Sequence, residues 1–434
     1  MHPARRIAIV GGGWSGLACA EHLAQAGLGH LVDVFEAAPQ FGGRARGLIW
    51  TSEGEQSNIP HAPIDAGQHL LLAAYTETFA LLKRTDPLHN TRWSSGWLGW
   101  RSHDGKQTDS LFGLLPDLLT AVPYLRKAPA PEQTVRAWFS ASQMDPRVCT
   151  LHMRPLAESA LNTDWSEASA LCLHRVLHDA SRRGPLSLRA LHPRHNLSID
   201  GIDPLTQWLC SSGVSLYPRS RVQQLAWASD GLWRLIGPKA AVAQRYADVV
   251  LALPTSESQR MLGRSAGVEP SERRAIGTLF LHLPKGTTPY PHNQIQSFRP
   301  SAAEGCMVIG LARPPGPWGQ VLSLVVSALP LDRNRQEFAH HWAVEAAALW
   351  LKGQQPLRSK WMVDRQATWA ATPQAIQAQP ISAAFRQFGD GRWQCADHLV
   401  FGYPATIESA VRSGRAVGEA LLRTTERRGV RAPH

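Results

Sequence analysis

An apolar run, Ile7 to Val10, lies near the start of the chain and breaks abruptly into glycines. Its β-branched residues Ile7, Ile9 and Val10 predict a buried strand. The small and apolar residues of WSGLACAEHLAQAG (14–27) predict a helix that Gly27 stops. LVDVFEA (31–37) predicts a second strand, ending at Glu36. Further on, GVSLYPRSRVQQLAW (213–227) and YADVVLALPTS (246–256) read as strands and turns. Near the far end, ATIESAVRSGRAVGEALL (405–422) predicts a helix starting between Thr406 and Ala410. LFGLLPDLLTAVPYLRKA (111–128) is very apolar and closes on Arg126 and Lys127. It reads either as an amphipathic lip entering a bilayer or as helices over a pocket, broken by Pro116 and Pro123. Trp93, Trp97 and Trp100 leave the same choice open. RPPGPWG (313–319) marks a loop, and no internal repeat or low-complexity tract stands out.

The first strand, helix and second strand frame a recognisable chemistry. Gly11, Gly13 and Gly16 fit G-x-G-x-x-G. Gly11 permits the tight turn, Gly13 lets backbone approach a pyrophosphate, and Gly16 lets the helix pack on the strand. Trp14 and Ser15 open the helix, whose N-terminus offers N–H groups and partial positive charge to phosphates. Glu36 stands 20 residues after Gly16, where its carboxylate can accept bonds from both ribose hydroxyls and repel a 2′-phosphate. The order of strand, loop, helix, strand and acid predicts dinucleotide binding. In PQFGGRARG (39–47), Gly42 and Gly43 bring a second backbone turn close, and Arg44 can reach a diphosphate.

With these segments the chain resembles the flavin amine oxidase and phytoene desaturase superfamily. The resemblance implies FAD along residues 8–46, in an α/β fold: a Rossmann-like FAD-binding domain of the amine-oxidase type with an inserted α+β substrate domain. CADHLVFGYPATIESAVRSG (395–414) resembles the superfamily's closing FAD motif. There Asp397 matches the acid at the ribityl chain or diphosphate, and Ala405, Thr406 and Ile407 open a helix aimed at the flavin pyrimidine. Ala396 replaces the usual glycine. No cysteine lies between Phe401 and Thr406, so non-covalent FAD is implied. Residues 213–227 resemble the returning strand pair, with Val222 behind the adenine. The implied FAD domain comprises 1–85, 205–265 and 385–434, and the substrate domain 86–204 and 266–384.

IDAGQHLLLAAYTETFALLKR (64–84), DRQATWAATP (364–373) and GYPATIESAVRSG are similar to the hydroxysqualene dehydroxylase family of bacterial hopanoid synthesis. The resemblance implies reduction of hydroxysqualene to squalene, with Gly67 and Gln68 beside the flavin. An allylic hydroxyl leaves and hydride quenches the cation, which demands a proton donor and a dry apolar tunnel. His69 is the expected donor, because imidazole can be protonated near neutral pH. Tyr75 and Tyr403 are alternatives, and Gln68 could orient a water. A polyisoprenoid desaturase, an amine oxidase and a flavin-retaining carrier stay open as alternatives.

Composition narrows the partners. Over 434 residues, 44% hydrophobic and 18% charged content suits about two globular domains. Net charge of +11 is compatible with a membrane surface, with anionic ligands or with general basicity. No RNP, zinc-finger or helix-turn-helix signature points to nucleic acid. The six cysteines form no CxxC pair, which argues against zinc and dithiol chemistry and suits reduced thiols in a cytoplasm. Neither a signal-peptide pattern nor a membrane-spanning run is present, so the expected location is cytoplasmic, with contact at the inner membrane face. Without a second GxGxxG, electrons are expected from an external donor. Association with other squalene-pathway enzymes is a further expectation.

Overall fold

The computed structural model describes residues 6–51, 58–69, 71–97, 99–103, 108–110, 126–142, 144–182, 189–237, 244–263, 272–287, 290, 294–298, 308–329, 333–379 and 384–427. The apolar segment 111–128 falls outside them except for its last three residues, and the side chains of Trp97 and Trp100 are likewise not described. Trp93 is buried in the core.

The first strand, Ile7–Val10, lies at the centre of a six-stranded sheet. The strands run in the order Ser215–Tyr217, Val32–Phe35, Ile7–Val10, Asp248–Leu251, Arg392–Cys395 and Phe385–Gln387. The first five are parallel and the last is antiparallel. All of Ile7–Val10 is buried, as a strand covered on both faces requires, hence its unbroken apolar run. The following helix spans Trp14–Gln25, and Gly27 beyond it takes a positive φ of 79°.

Two glycine contacts set the layer spacing. A Cβ on Gly16 would lie 2.0 Å from Gly11 O, so the helix meets the strand end at backbone distance. A Cβ on Gly414 would lie 2.0 Å from Ser15 O, which seats the closing helix Ile407–Arg427 directly on the first helix. Their shared core also takes in Leu197, Ile202, Leu205 and Leu209. The returning segment splits in two. Ser215–Tyr217 joins the parallel sheet, whereas Gln224–Trp227 pairs with Trp233–Ile236 in a separate ribbon.

The other half is built on a seven-stranded sheet in the order Arg358–Trp369, Arg273–Leu283, Gln320–Leu329, Val308–Ala312, Gln294–Phe298, Gly99–His103 and Thr108–Ser110. One face packs Leu279, Leu281 and Leu283 against the helix Arg333–Leu351. The opposite face places Phe280 and Val321 against Trp50, Ala62 and Ile64. Those residues belong to the ribbon Gly47–Trp50/Ala62–Asp65, which follows the GGR segment and joins the two halves. The architecture is α/β, with a Rossmann-like nucleotide half and an inserted β-rich half. Among the described residues, no helix is long and apolar enough to cross a membrane, and no cluster of three or more His, Cys, Asp or Glu is placed to hold a metal ion.

Candidate active site

The glycine loop and the GGR turn lie against each other. Gly42 N–H donates to Gly12 O at 2.8 Å, and Gly13 bridges Gly42. Gly42 and Gly43 have φ of 107° and 65°, so both favour glycine. The first intrahelical bond is Leu17 N–H to Gly13 O. The N–H groups of Trp14, Ser15 and Gly16 precede that ladder and, with no acidic side chain in the first turn, form an anion-favouring end. Trp14 and Ser15 serve there through backbone alone. The Trp14 indole is buried and donates to Ala45 O at 2.8 Å, and Ser15 is also buried.

Glu36 has a structural task that sequence reasoning missed. Its two carboxylate oxygens accept from Gly12 N–H at 2.8 Å and Ala38 N–H at 2.7 Å. It therefore braces the glycine loop from the end of the second strand. Val222 is buried in the adjoining cluster with Val10, Phe35 and Tyr246.

Arg44 and Asp397, 353 residues apart, form an ion pair at 2.7 Å, and Arg44 also donates to Ala367 O at 2.8 Å. Burial opposes the charge on Asp397. Arg44 and His398 more than offset it, and the carboxyl is held well below its usual range. Ala396, the departure from the family's glycine, keeps an extended backbone with φ of −168°, and its N–H donates to Ser413 Oγ at 2.9 Å. Thr406 caps the closing helix. Its hydroxyl accepts from Ser409 N–H at 3.1 Å, and Thr406 N–H donates back to Ser409 Oγ at 2.9 Å. Ile407 joins the core, and Ala405 packs against a neighbouring cluster.

A cavity of about 460 Å³ opens between the halves, lined by Arg44, Gly67, Pro254, Ile276, Thr278 and Asp364 among others. The strand pairings of Arg273–Leu283 shift register between Arg274 and Gly277, beside this wall. The turn Ala66–His69 is pinned at two points. Asp65, fully buried, accepts from Leu197 N–H at 2.8 Å and is ion-paired with Arg313. Gln68 Oε1 accepts from Ser323 Oγ at 2.9 Å. Thr278 is buried beside the cavity, and its hydroxyl meets no hydrogen-bond partner among the described residues. Sequence reasoning named neither Thr278, Ser323 nor Arg313. It quoted the segment holding Asp364 without giving that residue a task.

His69 Nε2 lies 3.3 Å from Ala66 O. Burial pushes the ring below its ordinary value, against the pull of Asp65 and of the Ala66 carbonyl. Its lowered value leaves the imidazole neutral near pH 7. With the proton on Nε2, as a bond to a carbonyl requires, Nδ1 is the acceptor. Tyr75 and Tyr403 instead line a second cavity of about 10 Å³ with Thr406, Glu408 and Arg412. Burial, then Glu408, pushes the Tyr75 phenol up, so it stays protonated. The Arg412 guanidinium stacks 4.3 Å from the Tyr403 ring centroid, and the buried Tyr403 hydroxyl has no partner among the described residues.

Buried imidazoles give a stability prediction. Burial lowers His22, His69, His89 and His282. The unfolded chain then binds more protons than the folded one below the ordinary value of about 6.5. Their contribution is present above that value and is lost as pH falls below it. The thermal midpoint should drop between about pH 7.5 and about pH 5.5, on either side of that value. A flat profile would show that these rings titrate normally in the folded chain.

The cradle fits FAD: paired glycine turns at backbone distance, a helix N-terminus, a braced carboxylate at the second strand and an Arg44–Asp397 pair leading to the cavity. Residues 14–288 match the sequence family described as flavin containing amine oxidoreductase. The chain is 27% identical to a hydroxysqualene dehydroxylase of Sinorhizobium fredii, covering 97% of this chain and 99% of that one. A hydroxysqualene dehydroxylase of Rhodopseudomonas palustris is also 27% identical, over 96% and 98%. Among solved structures, an oxidoreductase from Methanosarcina mazei superposes with a TM-score of 0.70 at 15% identity, covering 95% of this chain and 100% of that one. Cyclohexylamine oxidase from Brevibacterium oxydans gives 0.69 at 14%, over 98% and 100%. The chain belongs to the flavin containing amine oxidoreductase family and is an FAD-dependent oxidoreductase.

Proposed function

We propose that the protein reduces hydroxysqualene to squalene and water. The observation that carries this reading is the near full-length similarity to hydroxysqualene dehydroxylases. The cavity wall is compatible with it. Ile276, Met362 and Val363 give it apolar surface, while Thr278 and Asp364 add polar groups. In the net reaction the allylic C–O bond breaks, the oxygen takes a proton and leaves as water, and carbon gains a hydride. Bound FAD, once reduced by an external donor, supplies that hydride and is itself oxidised.

The chain's own residues do the rest. Gly11, Gly13, Gly42 and Gly43 admit the diphosphate, the N–H groups of Trp14, Ser15 and Gly16 face it, and Arg44 adds charge. Glu36 receives the ribose, Val222 backs the adenine and Asp397 takes the ribityl chain. Ala405, Thr406 and Ile407 would set the N-terminus of the closing helix toward the flavin pyrimidine. Binding is non-covalent, since Phe401–Thr406 offers no cysteine. Gly67 would face the ring from the cavity wall, and Gln68, next along the turn, is fixed by Ser323. His69 relays the proton: Nδ1 collects it before passing it to the departing oxygen. Tyr75 and Tyr403, set around a separate cavity, rank behind it.

An anaerobic single turnover tests the reading. Reduced holoprotein mixed with hydroxysqualene should regain the oxidised visible band with matching squalene. A His69→Ala variant should keep FAD and reoxidise about 100-fold more slowly, within the usual range for a general acid. No reoxidation by hydroxysqualene, with bleaching of the oxidised protein by squalene, phytoene or an amine, would assign the site to that substrate instead.

A further inference from the structure

The helix Arg333–Leu351 packs in an unusual sense. Its buried stripe is mostly small: Ala339, Ala343, Ala346 and Ala347, with Trp350 and Leu351 at its end. Several of its large apolar residues face outward. Phe338 is 59% exposed, Val344 46% and Leu349 37%. A surface helix ordinarily buries its large apolar side chains and exposes polar ones.

The outward residues form a continuous seam. Arg335, Phe338, Trp342, Glu345 and Leu349 follow one another at alternating spacings of three and four, which keeps them on one side of the helix, and Lys352 lies just past its C-terminal end. Phe338 and Trp342 stack at 6.3 Å. On the opposite flank, His340 lies against Trp361 at 5.1 Å. Both indoles are half-buried, with an apolar body and a polar N–H.

The charge around the seam favours one kind of partner. Arg335 and Lys352 bracket it, and His341 is exposed within it. The acids are Glu337, which is exposed, and Glu345, which already has a partner within the chain. An apolar and aromatic strip with basic ends matches a bilayer surface bearing anionic headgroups: acyl chains take the rings and phosphates take the cations. We propose that this helix face docks the protein on an anionic lipid surface, with Phe338, Trp342 and Leu349 entering the interface and Arg335 and Lys352 meeting headgroups. The proposal goes beyond the catalytic reading and does not need turnover.

Vesicle co-sedimentation of the FAD-loaded protein tests it. Vesicles of phosphatidylcholine with phosphatidylglycerol should bind the protein, and Trp342 emission should shift to the blue. Pure phosphatidylcholine should bind it about tenfold less well, roughly what the loss of one or two headgroup contacts implies. A Phe338→Ser/Leu349→Ser variant should bind mixed vesicles about tenfold more weakly or worse, with its thermal midpoint and flavin spectrum unchanged, because both side chains are exposed. An Arg335→Gln/Lys352→Gln variant should lose the preference for anionic lipid. Equal binding by the wild type and the serine variant would overturn the proposal. So would a concentration-dependent dimer, formed without lipid and abolished by the serine variant, which would make the face a protein interface. If vesicle binding holds while hydroxysqualene fails to reoxidise the flavin, the catalytic reading falls and the docking face stands.

Discussion

An Arg313→Met variant should lose about 3–5 kcal/mol of stability, the range for breaking a buried ion pair from one side. Arg313 and Asp65 are both almost wholly buried, at 4% and 0% side-chain exposure. Removing the guanidinium strands a carboxylate in the core, and it also removes the bond from Arg313 to His195 O at 2.7 Å. Asp65 ties together the ribbon Gly47–Trp50/Ala62–Asp65, the segment around Leu197 and the end of the strand Val308–Ala312. An Asp65→Asn/Arg313→Met double variant keeps an acceptor for Leu197 N–H and leaves no charge, so it should regain a large part of the loss. Denaturant unfolding of the three proteins measures this. Equal loss in the single and double variants would show that the pair contributes shape rather than charge compensation. The single variant should also disturb the flavin spectrum, since Asp65 anchors the turn Ala66–His69.

Glu36→Ala should weaken FAD retention by about 30- to 150-fold, from one charged hydrogen-bonded contact worth about 2–3 kcal/mol. Two losses coincide. The ribose would lose its proposed acceptor, and the N–H groups of Gly12 and Ala38 lose theirs. Glu36→Gln, with a single acceptor oxygen, should fall between. Titrating apoprotein with FAD and following flavin fluorescence gives the constants. Unchanged affinity in Glu36→Ala would remove both the bracing and the ribose role. A variant that binds adenosine normally but FAD weakly would leave the bracing role and remove the ribose one.

What could be read from sequence was local. The glycine loop, its strand and helix and Glu36 lie within thirty residues, and each has a residue type dictated by close approach, phosphate charge or ribose hydroxyls. The closing helix was equally legible, down to its start beside Thr406. The cavity wall was not. Thr278 meets the site only because Arg273–Leu283 pairs with Arg358–Trp369 in a register that shifts near Gly277, and no local pattern encodes that shift. The Ser323 bond to Gln68 and the Arg313 pair with Asp65 each span about 250 residues. His69 shows a different limit. Its residue type suggested a proton carrier, but its charge state follows from burial, which composition does not reveal.

The strand order of the nucleotide sheet bears on how the protein is made. Ile7–Val10 has Val32–Phe35 on one side and Asp248–Leu251 on the other, and the next strand inward from the edge is Arg392–Cys395. The helix that covers the first helix ends at Arg427. During synthesis the glycine loop therefore emerges well before its sheet partners Asp248–Leu251 and Arg392–Cys395. The chain cannot complete the sheet, the Arg44–Asp397 pair or the helix cover until the helix Ile407–Arg427 has been made. Cofactor loading should then wait for the helix Ile407–Arg427, and truncation before that helix should yield apoprotein prone to aggregation rather than a shortened flavoprotein.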